Sequence, residues 1–167
     1  MLTVETITDH KHWNDTLRSL PRPHVLQTWE WGEFKRQTTG WEPRRLAFKQ
    51  GSDIVAMASV GVRRVGPARV MYAPKGPILA SADPAIFTAV LDKLQSMARR
   101  EGAIWLKIDP DVVAATGVPG EDDDTPETNG QAVMTALRDR GWRFSDEQPQ
   151  FRNTITIDLS QPEDDIL

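Results

Sequence analysis

Two short stretches of this sequence set cations beside aromatic rings and stiff turns. The first, Gln27-Thr28-Trp29-Glu30-Trp31-Gly32-Glu33-Phe34-Lys35 followed by Gly40-Trp41, gathers three of the six tryptophans around one lysine. The second, Tyr72-Ala73-Pro74-Lys75-Gly76-Pro77, places a phenol and an ammonium on a turn held by two prolines. Both fall in the basic part of an acidic chain: residues 33–75 carry nine basic and three acidic residues, a net +6, while the segments before and after sum to −1 and −9. A basic middle inside an acidic protein points to a local anion site, whereas a protein that coats nucleic acid is usually basic throughout. The same residues also allow a purely structural reading, with solvated strand faces, Trp31 and Phe34 in a core, Gly76-Pro77 as a strand-to-helix turn, and Lys35 and Lys75 in water.

Other chemistries are excluded by what is missing. The chain has no cysteine, so thiol nucleophiles, disulfides, iron–sulfur clusters and Cys-based zinc sites are ruled out. There is no Gly-rich loop ending in Lys-Ser/Thr, no Gly-x-Ser-x-Gly elbow and no His-Glu-x-x-His. Of the three histidines, His10 and His12 point apart on a helix and His24 sits in a proline break, so no metal site is expected. Residues 117–130, with Glu121, Asp122, Asp123, Asp124 and Glu127, lack the alternation of a calcium loop and read as a mobile acidic insertion. No apolar run reaches the ~20 residues of a membrane helix, and the N-terminus has no signal-peptide pattern, so a cytoplasmic protein without membrane insertion is expected.

The elements that must position these residues follow from periodicity. A strand at Leu2–Ile7 precedes a helix over Thr8–Leu20, with Trp13, Leu17 and Leu20 on one face and Thr8 or Asp9 as cap. After Pro21-Arg-Pro23, a second helix runs from Gln27 to Thr39, carries Trp31 and Phe34 on one side and closes at Gly40. Arg44–Lys49, Ile54–Val62 and Ala68–Ala73 form a three-stranded meander. Its middle strand is apolar on both alternating faces, which requires helices on both sides of the sheet. Asp83-Pro84 opens a long amphipathic helix that ends at Arg99-Arg100. A strand at Ala103–Ile108 stops at Asp109-Pro110, which makes Asp109 a candidate base by location, although Asp-Pro also simply ends strands. A helix over Gln131–Arg140, a half-buried strand over Phe151–Leu159 and a helix start at Ser160–Leu167 complete the order.

That order resembles the GNAT-type acyltransferase fold, of α/β (α+β) class: a mixed, mostly antiparallel sheet flanked by helices on both faces. Residues 1–160 are expected to form one such domain, and 161–167 the cut start of another helix. An acetyl-CoA-using member carries a Gln/Arg-x-x-Gly-x-Gly/Ala loop before the long helix, whose N–H groups receive the pyrophosphate. Here Gly76 to Pro84 has no glycine pair, and Pro77 removes a donor, which disfavours coenzyme A.

In detail the chain resembles the FemABX family, enzymes that move an amino acid from aminoacyl-tRNA onto a peptidoglycan precursor. Gln27 to Lys35 with Gly40-Trp41 matches the family's Gln-Ser/Thr-x-x-Trp-Gly-x-x-Lys segment, and Tyr72 to Pro77 its Tyr-x-Pro-Arg/Lys-Gly-Pro turn. Further likeness lies in Gly102-Ala103 to Asp109-Pro110, Leu137 to Gly141-Trp142 and Gln150 to Leu159. Family members are about twice this length and look like two GNAT-like domains, so the resemblance covers the N-terminal one; the Asp that follows the family's Gly-Pro turn is Ala80 here. The resemblance implies an acceptor-binding role on a nucleotide- or lipid-linked muropeptide, with Lys35 on its diphosphate and Trp31, Tyr72, Lys75 and Gly76 beside it. It implies aminoacyl-tRNA as the donor, bound with the help of a second domain, and no cofactor. A stand-alone GNAT-type N-acyltransferase and a non-catalytic muropeptide or interaction domain are the alternatives, and the residues leave the catalytic group unassigned.

Overall fold

In the computed structural model, which describes residues 1–118, 120–122, 124–147, 149–151, 160, 162 and 164, the expected meander is the heart of a larger sheet. The described elements are, in chain order, β1 (Leu2–Thr6), α1 (His10–Ser19), a 3-10 turn (Val25–Gln27), α2 (Trp29–Thr39), β2 (Glu42–Gln50), β3 (Asp53–Val65), β4 (Ala68–Ala73), β5 (Ile78–Leu79), α3 (Pro84–Arg100), β6 (Ala103–Ile108), β7 (Ala115–Thr116), β8 (Thr125–Pro126) and α4 (Thr128–Asp139). The sheet runs β1-β2-β3-β4-β6, antiparallel throughout except for the parallel β4–β6 pair, with β5 added to β3 beyond the end of β4.

The two-sided apolar pattern of β3 is realised as two cores. Ala56, Ala58, Val60 and Val62 join Leu46, Phe48 and Met71 under α3, which supplies Val90, Leu94 and Ala98. Met57 points the other way, into a cluster with Ile7, Trp13, Leu17, Ala47 and Ile78 beneath α1. α3 begins where a carboxylate can cap it, Asp83 accepting from the Ala85 N–H at 2.8 Å with Pro84 in the first turn, as its sequence predicts. The α+β class, the mostly antiparallel sheet and the helices on both faces are as expected.

Three details differ from the sequence reading. α2 starts at Trp29 rather than Gln27, because the Thr28 hydroxyl caps it and Gln27 belongs to the preceding turn. Its sheet-facing side is not the Trp31 and Phe34 side: Phe34 is 51% exposed, and the buried residue of α2 is Gly32. The acidic segment 117–130, expected as a mobile insertion, contains β8, paired with β7, and the start of α4. Contacts to the backbone of Val113 and Ala114 hold it there, which residue polarity does not report. The Glu127 N–H and the Gln131 carboxamide both donate to the Ala114 carbonyl, at 3.0 and 2.9 Å, and α4 lies so close that a Cβ on Gly130 would sit 2.0 Å from the Val113 oxygen. Residues 152–159 of the strand expected at Phe151–Leu159, and residues 161, 163 and 165–167 of the helix start expected at Ser160–Leu167, lie outside the described residues.

Candidate functional site

The site begins with a break in the sheet. β3 pairs with β4 from Gly61 to Val65 and with β5 only at Ala56 and Met57, so neither strand reaches Ser59. The side chain of Gln27 fills the gap. Its Oε1 accepts from the Ser59 N–H at 2.6 Å, and its Nε2 donates to the Ser59 carbonyl at 3.2 Å and to the Pro74 carbonyl at 2.6 Å. Buried peptide groups demand partners, and one carboxamide serves three of them. Gln27 is 0% exposed and its own carbonyl accepts from the Trp13 indole at 2.9 Å, which fixes the turn before α2. Gly76 faces this plug: a Cβ there would lie 2.8 Å from Gln27 Nε2. The glycine therefore gives room to Gln27, and neither Gly76 nor Lys75 lines the cleft described below.

α2 is pressed onto β2 by the same logic. A Cβ on Gly32 would meet Arg45 Nη2 at 3.0 Å and Pro43 at 3.2 Å, so a larger residue would force those side chains to shift, and glycine lets the helix sit this close. Arg45, 7% exposed, stacks its guanidinium 3.5 Å from the Trp29 ring centroid and binds Glu33 at 2.9 Å and the Trp29 carbonyl at 3.2 Å. Arg45, first, and Arg36 hold the Glu33 carboxyl below its usual range by hydrogen bonding. With Trp29 and Gly32 turned to the sheet, Trp31 and Lys35, one helical turn apart, face outward, and the Lys35 ammonium lies 5.5 Å from the Trp31 ring centroid.

The parallel ends of β4 and β6 supply the rest. The Tyr72 hydroxyl donates to Asp109 Oδ2 at 3.3 Å, and the Lys75 ammonium to Asp111 Oδ1 at 3.2 Å. Burial, reinforced by the facing Asp109 carboxylate, pushes the Tyr72 phenol well above its ordinary pKa, so it stays a donor. The Asp109 N–H donates to the Gly76 carbonyl at 3.3 Å, tying the two strand ends together. On β6, Lys107 donates to Ser145 Oγ at 3.0 Å and to the Glu147 carbonyl at 2.5 Å.

α1 and α2 cover only the β1–β3 half of their face. Over β4 and β6 lies an open cleft of about 1020 Å³, with Gly61, Tyr72 and Lys107 on its floor, Trp31 and Lys35 on the α2 wall, and Val133 and Leu137 of α4 opposite. Three of the expected residues, Trp31, Lys35 and Tyr72, are brought together here, as is Asp109. Trp41, named in the first stretch but not assigned to the site, packs its ring on Gly61 and lines the cleft, and sequence reasoning missed Trp105 and Lys107, which share it. The i, i+2, i+4 spacing of Trp105, Lys107 and Asp109 along β6 and the residue that follows it was the signal available.

Among nine basic residues between 33 and 75, six have a carboxylate partner: Arg36 and Arg45 with Glu33, Arg44 and Arg69 with Glu101, Lys49 with Glu5, and Lys75 with Asp111. Lys35 is one of the three that have none among the described residues, so its charge is available to an anion in the cleft. The helix terminus that would receive a pyrophosphate in a CoA-type site is occupied by Asp83 and lacks the Pro84 N–H.

Comparison with known proteins bears on this geometry. A model of the FemAB family matches residues 6–163. The Lipid II:glycine glycyltransferase of Staphylococcus aureus (strain bovine RF122 / ET3-1) is 31% identical over 113 residues, 66% of this chain and 26% of that protein, and that of strain USA300 is 30% identical over the same length. A crystal structure of FemX superposes with a TM-score of 0.65 at 26% identity, over 83% of this chain and 31% of that one. An aminoglycoside acetyltransferase from an uncultured soil metagenomic sample, with a TM-score of 0.53 at 15% identity over 93% of this chain and 99% of that one, shares the fold alone. The chain spans about a quarter of the length of the curated relatives it matches.

Proposed function

Because this chain belongs to the FemAB family, we propose that its cleft binds the muropeptide acceptor of an aminoacyl transfer in peptidoglycan bridge formation. The observation that carries this reading is the Lys35 ammonium, without a carboxylate partner among the described residues, beside Trp31 in a cleft that also holds the Tyr72–Asp109 pair. A diphosphate neutralises an ammonium of this kind as a point charge, and the neighbouring rings offer flat apolar faces to the glycan or base attached to it. The curated relatives' name points to a lipid-linked acceptor, and aminoacyl-tRNA is the donor the family resemblance implies. The reaction is aminolysis of an ester: the acceptor amine attacks the aminoacyl carbonyl, a C–N bond forms, and the ester C–O bond breaks to release the tRNA hydroxyl. The amine must lose a proton and the leaving oxygen must gain one; this reading gives the transfer to Asp109, which lines the cleft and accepts from the Tyr72 hydroxyl. Lys75 and Gly76 then act from behind, by holding the β4 turn against Asp111 and Gln27.

Calorimetric titration with UDP-MurNAc-pentapeptide, with UDP and acetyl-CoA as comparators, tests the reading. Heat from the muropeptide and none from acetyl-CoA is expected. Binding of acetyl-CoA alone would make the chain an N-acyltransferase instead, and silence towards all three would remove acceptor binding from this stretch of chain.

A further inference from the structure

The two remaining cations of the basic segment without a carboxylate partner among the described residues, Arg63 and Arg64, are nowhere near Lys35 in sequence and sit at the far end of β3, where the β3–β4 hairpin turns through Gly66 and Pro67. Arg64 stands directly across from Arg69, an arrangement that like charges disfavour. Arg69 is engaged, donating to the Glu101 carbonyl at 2.9 Å and its carboxylate at 3.0 Å, and Arg44 approaches the same carboxylate at 3.7 Å. Those contacts bring the C-terminal end of α3, with exposed Arg99 and Arg100, to the same place. Six arginines thus meet at one end of the molecule against Glu101 and, opposite Val62, Glu42. Arg99 and Arg100 have a local reason to be there, since they complement the negative end of the helix dipole. Arg63 and Arg64 have no such reason.

Apolar side chains are interleaved with these charges. Val65 at the hairpin is 55% exposed, and Ile104 and Trp105, at the start of β6 beside Arg69 and Val70, are 69% and 44% exposed. Arginines around exposed aliphatic residues and an indole form the composition that settles at the boundary between anionic headgroups and acyl chains. A phosphate backbone would use the arginines but would gain nothing from Val65 and Ile104. Trp105 also lines the cleft, so this end is continuous with the candidate site.

We propose that this arginine-ringed end, with Val65 at its tip and Ile104 and Trp105 at its edge, docks peripherally on an anionic bilayer surface. The contact rests on charge complementarity and shallow apolar burial, with no segment crossing the bilayer. It stands on the patch alone and does not depend on what the cleft binds.

Vesicle co-sedimentation tests it, with phosphatidylcholine alone and with ~30% phosphatidylglycerol added, neither containing any glycan lipid. Binding to the anionic vesicles at least tenfold above the neutral ones, falling as salt is raised, is expected. The paired substitution Arg63→Glu and Arg64→Glu should reduce that binding at least tenfold, and Val65→Asp severalfold, in proteins whose thermal melts match the parent. A second pair, Arg99→Glu and Arg100→Glu, checks that the effect belongs to the whole end rather than to the hairpin. Equal binding to both vesicle types, no binding to either, or retention by the Arg63/Arg64 variant would overturn the proposal. So would tighter binding to an RNA duplex than to the anionic vesicles at the same salt. Loss or persistence of muropeptide heat in the cleft does not enter this outcome, so the two readings fail separately.

Discussion

Gln27 supplies three hydrogen bonds to backbone groups that the diverging strands β4 and β5 leave unserved on Ser59 and Pro74. Its replacement by leucine strands those groups in the interior, so Gln27→Leu is expected to cost about 3 kcal/mol or more in urea denaturation, at about 1–3 kcal/mol for each orphaned group. Gly76→Ala pushes a methyl group into the same carboxamide and should cost about 1–3 kcal/mol. In a Gln27→Ala background that cost should largely vanish, because the obstacle is gone; additive losses would show that Gly76 serves some other purpose. The tryptophans divide in the same way. Trp13, 0% exposed, should cost about 3–5 kcal/mol on truncation to alanine, whereas half-buried Trp31 should cost less than about 2 kcal/mol and act on ligand affinity instead. Lys35→Ala is expected to weaken the muropeptide by about 1.5–3 kcal/mol in calorimetry, while the neighbouring Arg36→Ala, already paired with Glu33, leaves affinity unchanged.

At the scale of elements, α1 and α2 are joined by one asparagine. Asn14 Nδ2 donates to both oxygens of Glu30 at 2.9 Å, while its Oδ1 accepts from the Trp29 N–H at 3.0 Å and His10 Nε2 meets Glu30 at 2.6 Å. The Asn14 hydrogen bonds, followed by the helix backbone and His10, hold the Glu30 carboxyl down at about 2 against an ordinary 4.5. A carboxylate whose folded pKa is depressed contributes fully above its unfolded pKa and loses that contribution as the pH falls through the folded one. The window is therefore from about 4.5 down to about 2. Glu30 is 60% exposed, so screening limits the term to below about 1 kcal/mol. Urea midpoints measured across that window should fall less steeply with acid in Asn14→Ala than in the parent, and an unchanged slope would place the acid sensitivity elsewhere. α3 offers a simpler case: Asp83→Ala removes its cap and should lower stability by about 1 kcal/mol by thermal melting.

For the whole molecule, the governing feature among the described residues is a sheet with α3 packed on one face and α1 with α2 on only part of the other. α3 spans the first face, and α1 with α2 stop at β3 on the second, leaving β4 and β6 as the floor of the cleft. Four of the six tryptophans, Trp31, Trp41, Trp105 and Trp142, line that cleft, while Trp13 lies in the core and Trp29 packs against it. Ligand entry should therefore change intrinsic fluorescence, and Trp105→Phe should reduce the amplitude without unfolding the chain. A fluorescence response to acetyl-CoA and none to the muropeptide would reverse the functional reading.

Periodicity and turn chemistry in the sequence were enough for the order of elements, the buried centre of β3, the α3 cap and the motifs around Lys35 and Tyr72, because each depends on neighbours within a turn or a strand. The family likewise was legible, since its residues recur in order along the chain. Tertiary structure alone decided which of those residues face the cleft. It turned Trp31 and Phe34 away from the core because Gly32 lets Arg45 and Pro43 approach, and it made Gly76 a partner of Gln27, some fifty residues earlier in the chain. It also converted the basic segment into six internal pairs, one cleft lysine and one arginine-rich end. Charge pairing and close backbone approach are contacts between distant positions, and composition records the charges but not their partners.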